Sequence, residues 1–269
     1  MTPWTPDSDI DLRARHPNYQ TFLAHNEAAS ERSRSRLQCC LDVAYGTHPL
    51  QRTDLFPGAS IDAPAVVFIH GGYWRALDKR SYSFVATPFV AAGYAVVVSN
   101  YRLMPAVRMV DVVTDIQTAL LKLLAGDFRA YGVHPPRLVI AGHSAGGHLA
   151  VAAPQRAPAV QDALRGIASI SGLVDLAKIQ RSSLNETLAL SDEEVRRFSP
   201  LLRPLPDVPL HAGVGSDETP LFIDETACLA KAAGVTPTHY AGLNHYQAVH
   251  LLGASDGLPT QFLLDALAS

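Results

Sequence analysis

Cysteine is nearly absent: 269 residues carry three, Cys39, Cys40 and Cys228. An odd, sparse count with two members adjacent excludes a disulfide framework and leads us to expect a reducing, cytoplasmic setting. No apolar run is long enough to span a bilayer, which needs roughly 18 residues or more. The opening stretch, residues 1–7, shows no basic segment followed by an apolar one, so no export signal is expected there. Charge is scarce as well. Asp, Glu, Lys and Arg make up 17% of the chain and leave a formal net charge of −3, which offers no basic face to nucleic acid or to an anionic membrane. Neither His-Glu-x-x-His nor a Cys/His cluster with ligand spacing occurs, and no metal or organic cofactor is expected. What the chain does have is apolar residues, 48% of the total, enough for a substantial core.

Taken in order, residues 1–17 read as a polar, irregular arm and residues 18–37 as a helix, so that an N-terminal arm and helix occupy about 1–40. The Arg-rich part of that helix (Arg32, Arg34, Arg36) reads as a solvated face. Two short segments, 41–46 and 50–57, are bounded by turn residues and form a first strand pair. Ala65–Ile69 and Ala95–Ser99 are continuous apolar runs, the pattern of strands covered on both faces. Between and after them, residues 81–92 and 107–125 are helical, the latter with Val110, Val113, Ile116, Leu120, Leu121 and Leu124 at helical spacing. Further strands are expected at 137–140, 166–171, 209–215 and 236–241, with helices at 220–233 and from about 244 onward. Residues 173–206 break the alternation and read as a small lid insertion. No internal repeat is apparent. Alternation of strand and helix predicts one α/β domain over 1–269, a mostly parallel central sheet with helices on both faces.

The chemistry centres on Gly142-His143-Ser144-Ala145-Gly146. It follows the strand Arg137–Ile140 and precedes an Ala/Leu-rich helix start, the setting of a nucleophile elbow. Gly-x-Ser-x-Gly alone arises by accident in roughly one chain in ten of this length, so its partners must also be found. A serine needs a base, and the base an orienting acid. In elbow-bearing folds these follow in the order serine, acid, histidine. His245, after the last strand, is the candidate base; His239 falls within a strand and His250 within a helix. The acid lies in Gly215-Ser216-Asp217-Glu218. Spacing from Gly215 favours Glu218, while Asp217 is the commoner acid chemically. The donors for a developing oxyanion are expected from Gly72 and Tyr73 in His70-Gly71-Gly72-Tyr73-Trp74 and from Ala145. Tyr73, Trp74 and His143 are candidates for substrate contact, the two aromatics as walls for an aryl group. Arg102 and Asp115 are read as a structural ion pair.

His-Gly-Gly-Tyr-Trp (70–74) followed by Gly-His-Ser-Ala-Gly-Gly-His-Leu (142–149) resembles the arylformamidase (kynurenine formamidase) branch of the α/β-hydrolase superfamily, which neighbours the hormone-sensitive-lipase-type esterases. Leu55-Phe56-Pro57, Ser182–Asn185, Ser199–Leu201 and Val214–Pro220 agree with it, so the match covers nearly the whole chain. The sequence departs at Asn244-His245-Tyr246, where that family more often has Asp-His-Phe; the histidine is kept. The resemblance implies an α/β-hydrolase fold, a Ser144–His245–Glu218 triad, and a serine hydrolase acting on a small N-acyl arylamine. N-formylkynurenine is the leading expectation for the substrate. A carboxylesterase for short acyl chains is the alternative, with a non-catalytic ligand binder the least favoured reading. The expected partner is a small molecule, with monomer and homodimer both open.

Overall fold

Among the described residues, eight strands pair into one sheet: β1 (Cys40–Ala44), β2 (Arg52–Phe56), β3 (Ala65–Ile69), β4 (Ala95–Ser99), β5 (Leu138–His143), β6 (Leu164–Ile170), β7 (Leu210–Gly215) and β8 (Thr238–Tyr240). Their spatial order is β1-β2-β4-β3-β5-β6-β7-β8. The β1–β2 and β2–β4 pairs are antiparallel, and every pair from β4 to β8 is parallel. This is the α/β-hydrolase architecture expected from the sequence. It is seen here in a computed structural model that describes residues 7–269.

The apolar runs follow from the pleat. In β3, Ala65, Val67 and Ile69 enter one core and Val66 and Phe68 the other; β4 and β5 divide in the same way. A strand whose two faces are both covered has no use for alternating polarity. The helix Met109–Ala125 buries Met109, Val112, Val113, Ile116, Leu120 and Leu123. Leu121, expected on that stripe, is 43% exposed. Gly126, at φ 86°, ends this helix in a left-handed cap. Arg102 closes on the buried Asp115 through Nη2–Oδ1 at 2.8 Å and Nε–Oδ2 at 2.9 Å, as a structural pair.

The order in which strands are added reverses about β3: β4 lies on one side of it and β5 on the other, all three parallel. The loops leaving the carboxyl ends of β3 and β5 therefore meet above a shared crevice, the usual place for a ligand in an open parallel sheet.

Two expectations need correction. The N-terminal arm is not irregular over the described residues: Asp7–Ile10 and Leu12–Arg15 are short helical turns that precede the helix Tyr19–Arg36. Asp9, Ile10 and Leu12 are buried. Residues 1–6 of the arm lie outside the described residues. The segment 81–92 begins as a 3-10 turn, Lys79–Val85, and becomes α-helical only at Ala86–Ala91.

Candidate active site

β5 gives way to the helix Ala145–Ala152 with Ser144 alone between them, at φ 57° and ψ −122°. A left-handed φ on a serine is costly and persists only where the surroundings hold it. Here the Ser144 N–H donates to the Ile170 carbonyl on the neighbouring strand at 2.8 Å. The two glycines permit the crossing. A Cβ on Gly142 would lie 2.0 Å from the Gly146 carbonyl oxygen, and one on Gly146 would lie 2.0 Å from that of Ile69. Ser144 is thus lifted to the end of the sheet at the N-terminus of a helix, where partial positive charge favours a developing anion.

β7 ends in the turn that carries the acid. Asp217 is exposed, its Oδ1 accepting from Ser216 Oγ. Glu218 turns inward, with its side chain fully buried. One of its oxygens accepts from the Gly215 N–H at 2.9 Å and from Ser171 Oγ at 2.5 Å. The other lies 2.6 Å from His245 Nδ1. Of the two acids that spacing left open, Glu218 faces His245 and Asp217 faces solvent. Ser171, itself at φ 51° just past β6, was missed by sequence reasoning. Its signal was a polar residue at the carboxyl end of a buried strand.

His245 begins a short helix capped by Asn244, whose Oδ1 accepts from the Tyr246 and Gln247 N–H groups at 3.0 and 3.2 Å. Asn caps as Asp does, so the departure from the family pattern leaves the histidine in place. Its ring sits against Phe222, with centroids 4.2 Å apart, and against His143 at 4.6 Å. His143 Nε2 donates to the His245 carbonyl at 2.9 Å. Burial, followed by the neighbouring His245, holds the His143 imidazole well below the usual histidine range. It is therefore a neutral strut that anchors the His245 loop. With Nδ1 turned toward a carboxylate, His245 keeps Nε2 as its free nitrogen. Ser144 and His245 line the same cavity but are not hydrogen-bonded to each other here. That link commonly tightens only with substrate in place.

The loop after β3 supplies the opposite wall. Gly72, Tyr73 and Trp74 all have positive φ, at 104°, 49° and 57°. Among the described residues, the N–H groups of Gly72, Tyr73 and Ala145 have no protein acceptor. The loop's base is clamped. Tyr101 Oη donates to the carbonyls of His70 and Gly71 at 3.0 and 3.2 Å, and the His70 ring stacks on Tyr101.

Trp74 is a correction. It is completely buried and stands outside the cavity lining. Its Nε1 donates to His148 Nδ1 at 3.2 Å, and His148 Nε2 bonds the Phe198 carbonyl at 2.8 Å. It ties the loop to the elbow helix and walls no substrate. Tyr73 does line the cavity, with its hydroxyl donating to the Ile10 carbonyl at 3.0 Å.

The cavity measures about 320 Å³, and its cover comes largely from the N-terminal arm and helix: Ile10, Asp11, Leu12, Arg13, Tyr19, Leu23 and Asn26 line it. The insertion at 173–206, expected as the lid, contributes Ser183 and Leu184. Asp9 fixes the arm, its Oδ2 accepting from the Leu221 N–H and its carbonyl from Thr219 Oγ1. Tyr246 lines the cavity and is backed by Phe22, which stands outside the lining with its ring stacked on Tyr246 at a centroid distance of 5.7 Å, a pairing that the sequence reading did not foresee. Among the described residues no group of three or more His, Cys, Asp or Glu could hold a metal, and no helix is long and apolar enough to cross a membrane.

Comparison with known proteins places this geometry. The BD-FAE family model matches residues 55–187, from β2 through the elbow and into the insertion. The chain is 28% identical over 253 residues to a kynurenine formamidase of Salmo salar, covering 87% of this chain and 84% of that protein. It is 32% identical over 202 residues to the Danio rerio kynurenine formamidase, covering 73% and 66%. A solved structure from Silicibacter sp. TM1040, provisionally described as a thioesterase, superposes with a TM-score of 0.86 at 28% identity. That match covers 96% of this chain and 98% of the other.

Proposed function

Because the chain is a hydrolase of the arylformamidase-like branch of the α/β-hydrolase superfamily, we propose that it removes the formyl group from an N-formyl arylamine of the N-formylkynurenine type, with Ser144 as nucleophile. The observation that carries the reading is the 2.6 Å contact between Glu218 and His245 Nδ1, with His245 and the strained Ser144 on one cavity. The fish kynurenine formamidases support the substrate class.

Ser144 Oγ attacks the formyl carbon while His245 Nε2 takes its proton, and Glu218 holds the imidazolium that forms. The carbonyl oxygen becomes an oxyanion, held by the N–H groups of Gly72, Tyr73 and Ala145. Each such donor contributes about 3–4 kcal/mol to the transition state. His245 returns the proton to the departing arylamine nitrogen. A water molecule, deprotonated by His245, then adds to the formyl ester on Ser144, and formate leaves. The net change is one amide bond hydrolysed by one water, without a metal or organic cofactor. The Tyr19, Tyr73 and Tyr246 rings that line the cavity suit an aryl amine. The same reading carries a small molecule as the partner and the cytoplasm as the compartment.

The test is a comparison of N-formylkynurenine with p-nitrophenyl acetate. Formamide turnover well above the uncatalysed rate is expected. Rapid ester cleavage with formamide turnover at background would overturn the formamidase reading in favour of a carboxylesterase.

A further inference from the structure

Among the described residues, the cavity rim carries charges of both signs that no group of opposite charge pairs with. Arg13 and Asp11, on the arm turn Leu12–Arg15 and its cap, line the cavity and are exposed. The Arg13 guanidinium lies over the Tyr19 ring, 5.1 Å from its centroid. Among the described residues, its N–H donors meet no acceptor and no carboxylate lies within ion-pair distance. Among the described residues, Asp11 Oδ1 accepts one bond, from the Ala14 N–H at 3.0 Å, and its carboxylate too pairs with no cation. Arg75 also reaches the rim but is engaged, donating to Thr187 Oγ1 at 3.2 Å.

An acyl arylamine with an apolar tail needs neither charge. A planar guanidinium with free donors matches a carboxylate, and a carboxylate with free lone pairs matches an ammonium. A cation and an anion two residues apart on one short turn fit a ligand that presents both ions from a single carbon, as an α-amino acid does. We propose that Arg13 and Asp11 are specificity-determining residues that bind the carboxylate and the ammonium of a zwitterionic substrate tail, which makes the N-terminal arm the element that selects substrate. This inference rests on the formamidase reading for the scissile group but not for the tail.

The experiment compares kcat/KM for N-formylkynurenine with that for formanilide, which has the same type of scissile bond and no charged tail. The variants are Arg13→Gln, Arg13→Lys and Asp11→Asn, the last keeping the helix cap. The ratio of the two kcat/KM values should fall about tenfold in Arg13→Gln, through KM, and partly recover in Arg13→Lys. The same ratio should fall in Asp11→Asn, and raised salt should shrink all these differences. A general structural defect would lower both substrates together and leave the ratio fixed. A ratio within twofold of the parent in both Arg13→Gln and Asp11→Asn overturns the proposal. Should the parent protein cleave esters and neither formamide, the formamidase reading fails on its own. O-acetyltyrosine against phenyl acetate then tests the rim by the same ratio.

Discussion

Glu218 Oε2 lies 2.6 Å from His245 Nδ1, while Asp217, its neighbour in sequence, points to solvent. Glu218→Gln keeps the volume but removes the charge that orients and stabilises the imidazolium. It should lower kcat by about 10³- to 10⁴-fold with little change in KM. Asp217→Asn should stay within about twofold of the parent, since exposed charges contribute little. Steady-state kinetics on both variants separate the assignments. A large loss in Asp217→Asn and a small one in Glu218→Gln would reverse them.

Why the sequence left this pair ambiguous is a matter of register at a turn. Spacing from Gly215 narrows the acid to two positions. The side that turns inward is set by the Gly215 N–H and by Ser171, which arrives from a different strand. The strands were legible because β3, β4 and β5 are apolar on both faces, and the elbow because its glycines are forced by backbone contacts. The arm was not. Its two four-residue turns are too short to show a helical period, and its anchor, Asp9, meets Leu221 from 212 residues away. Trp74 was equally closed to sequence reasoning. Whether an aromatic after Gly-Gly walls a pocket or fills a core depends on His148, in the helix Ala145–Ala152 that follows the elbow.

Trp74→Phe tests that placement. Losing the indole donor leaves His148 Nδ1 buried without a partner, a cost of about 1–3 kcal/mol. The melting temperature should drop and kcat should fall as the loop loosens, with KM largely retained. A tenfold rise in KM at an unaltered melting temperature would make Trp74 a substrate wall after all.

Acid should destabilise the fold before most carboxylates titrate. Burial pushes His148 and His211 down to about 4, and holds His70 and His143 below the usual range. Each is neutral in the folded chain and protonated in the unfolded chain between its lowered value and about 6.5. The unfolded state therefore binds more protons in that window, and stability falls as pH falls through it. Glu225, raised by burial, opposes this with one proton. A net loss of at least about 2 kcal/mol is expected between pH 7 and pH 5, read from urea unfolding midpoints. Equal midpoints at the two pH values would contradict the assignment of these histidines as buried and neutral.

The most direct measurement is covalent capture. A fluorophosphonate reacts with a serine only where a base deprotonates it beside donors that hold the phosphoryl oxygen. Intact-mass and peptide mass spectrometry of the treated protein should show a single adduct on Ser144, absent in Ser144→Ala and strongly slowed in His245→Ala. An unlabelled parent protein, or an adduct on any other residue, would contradict the account.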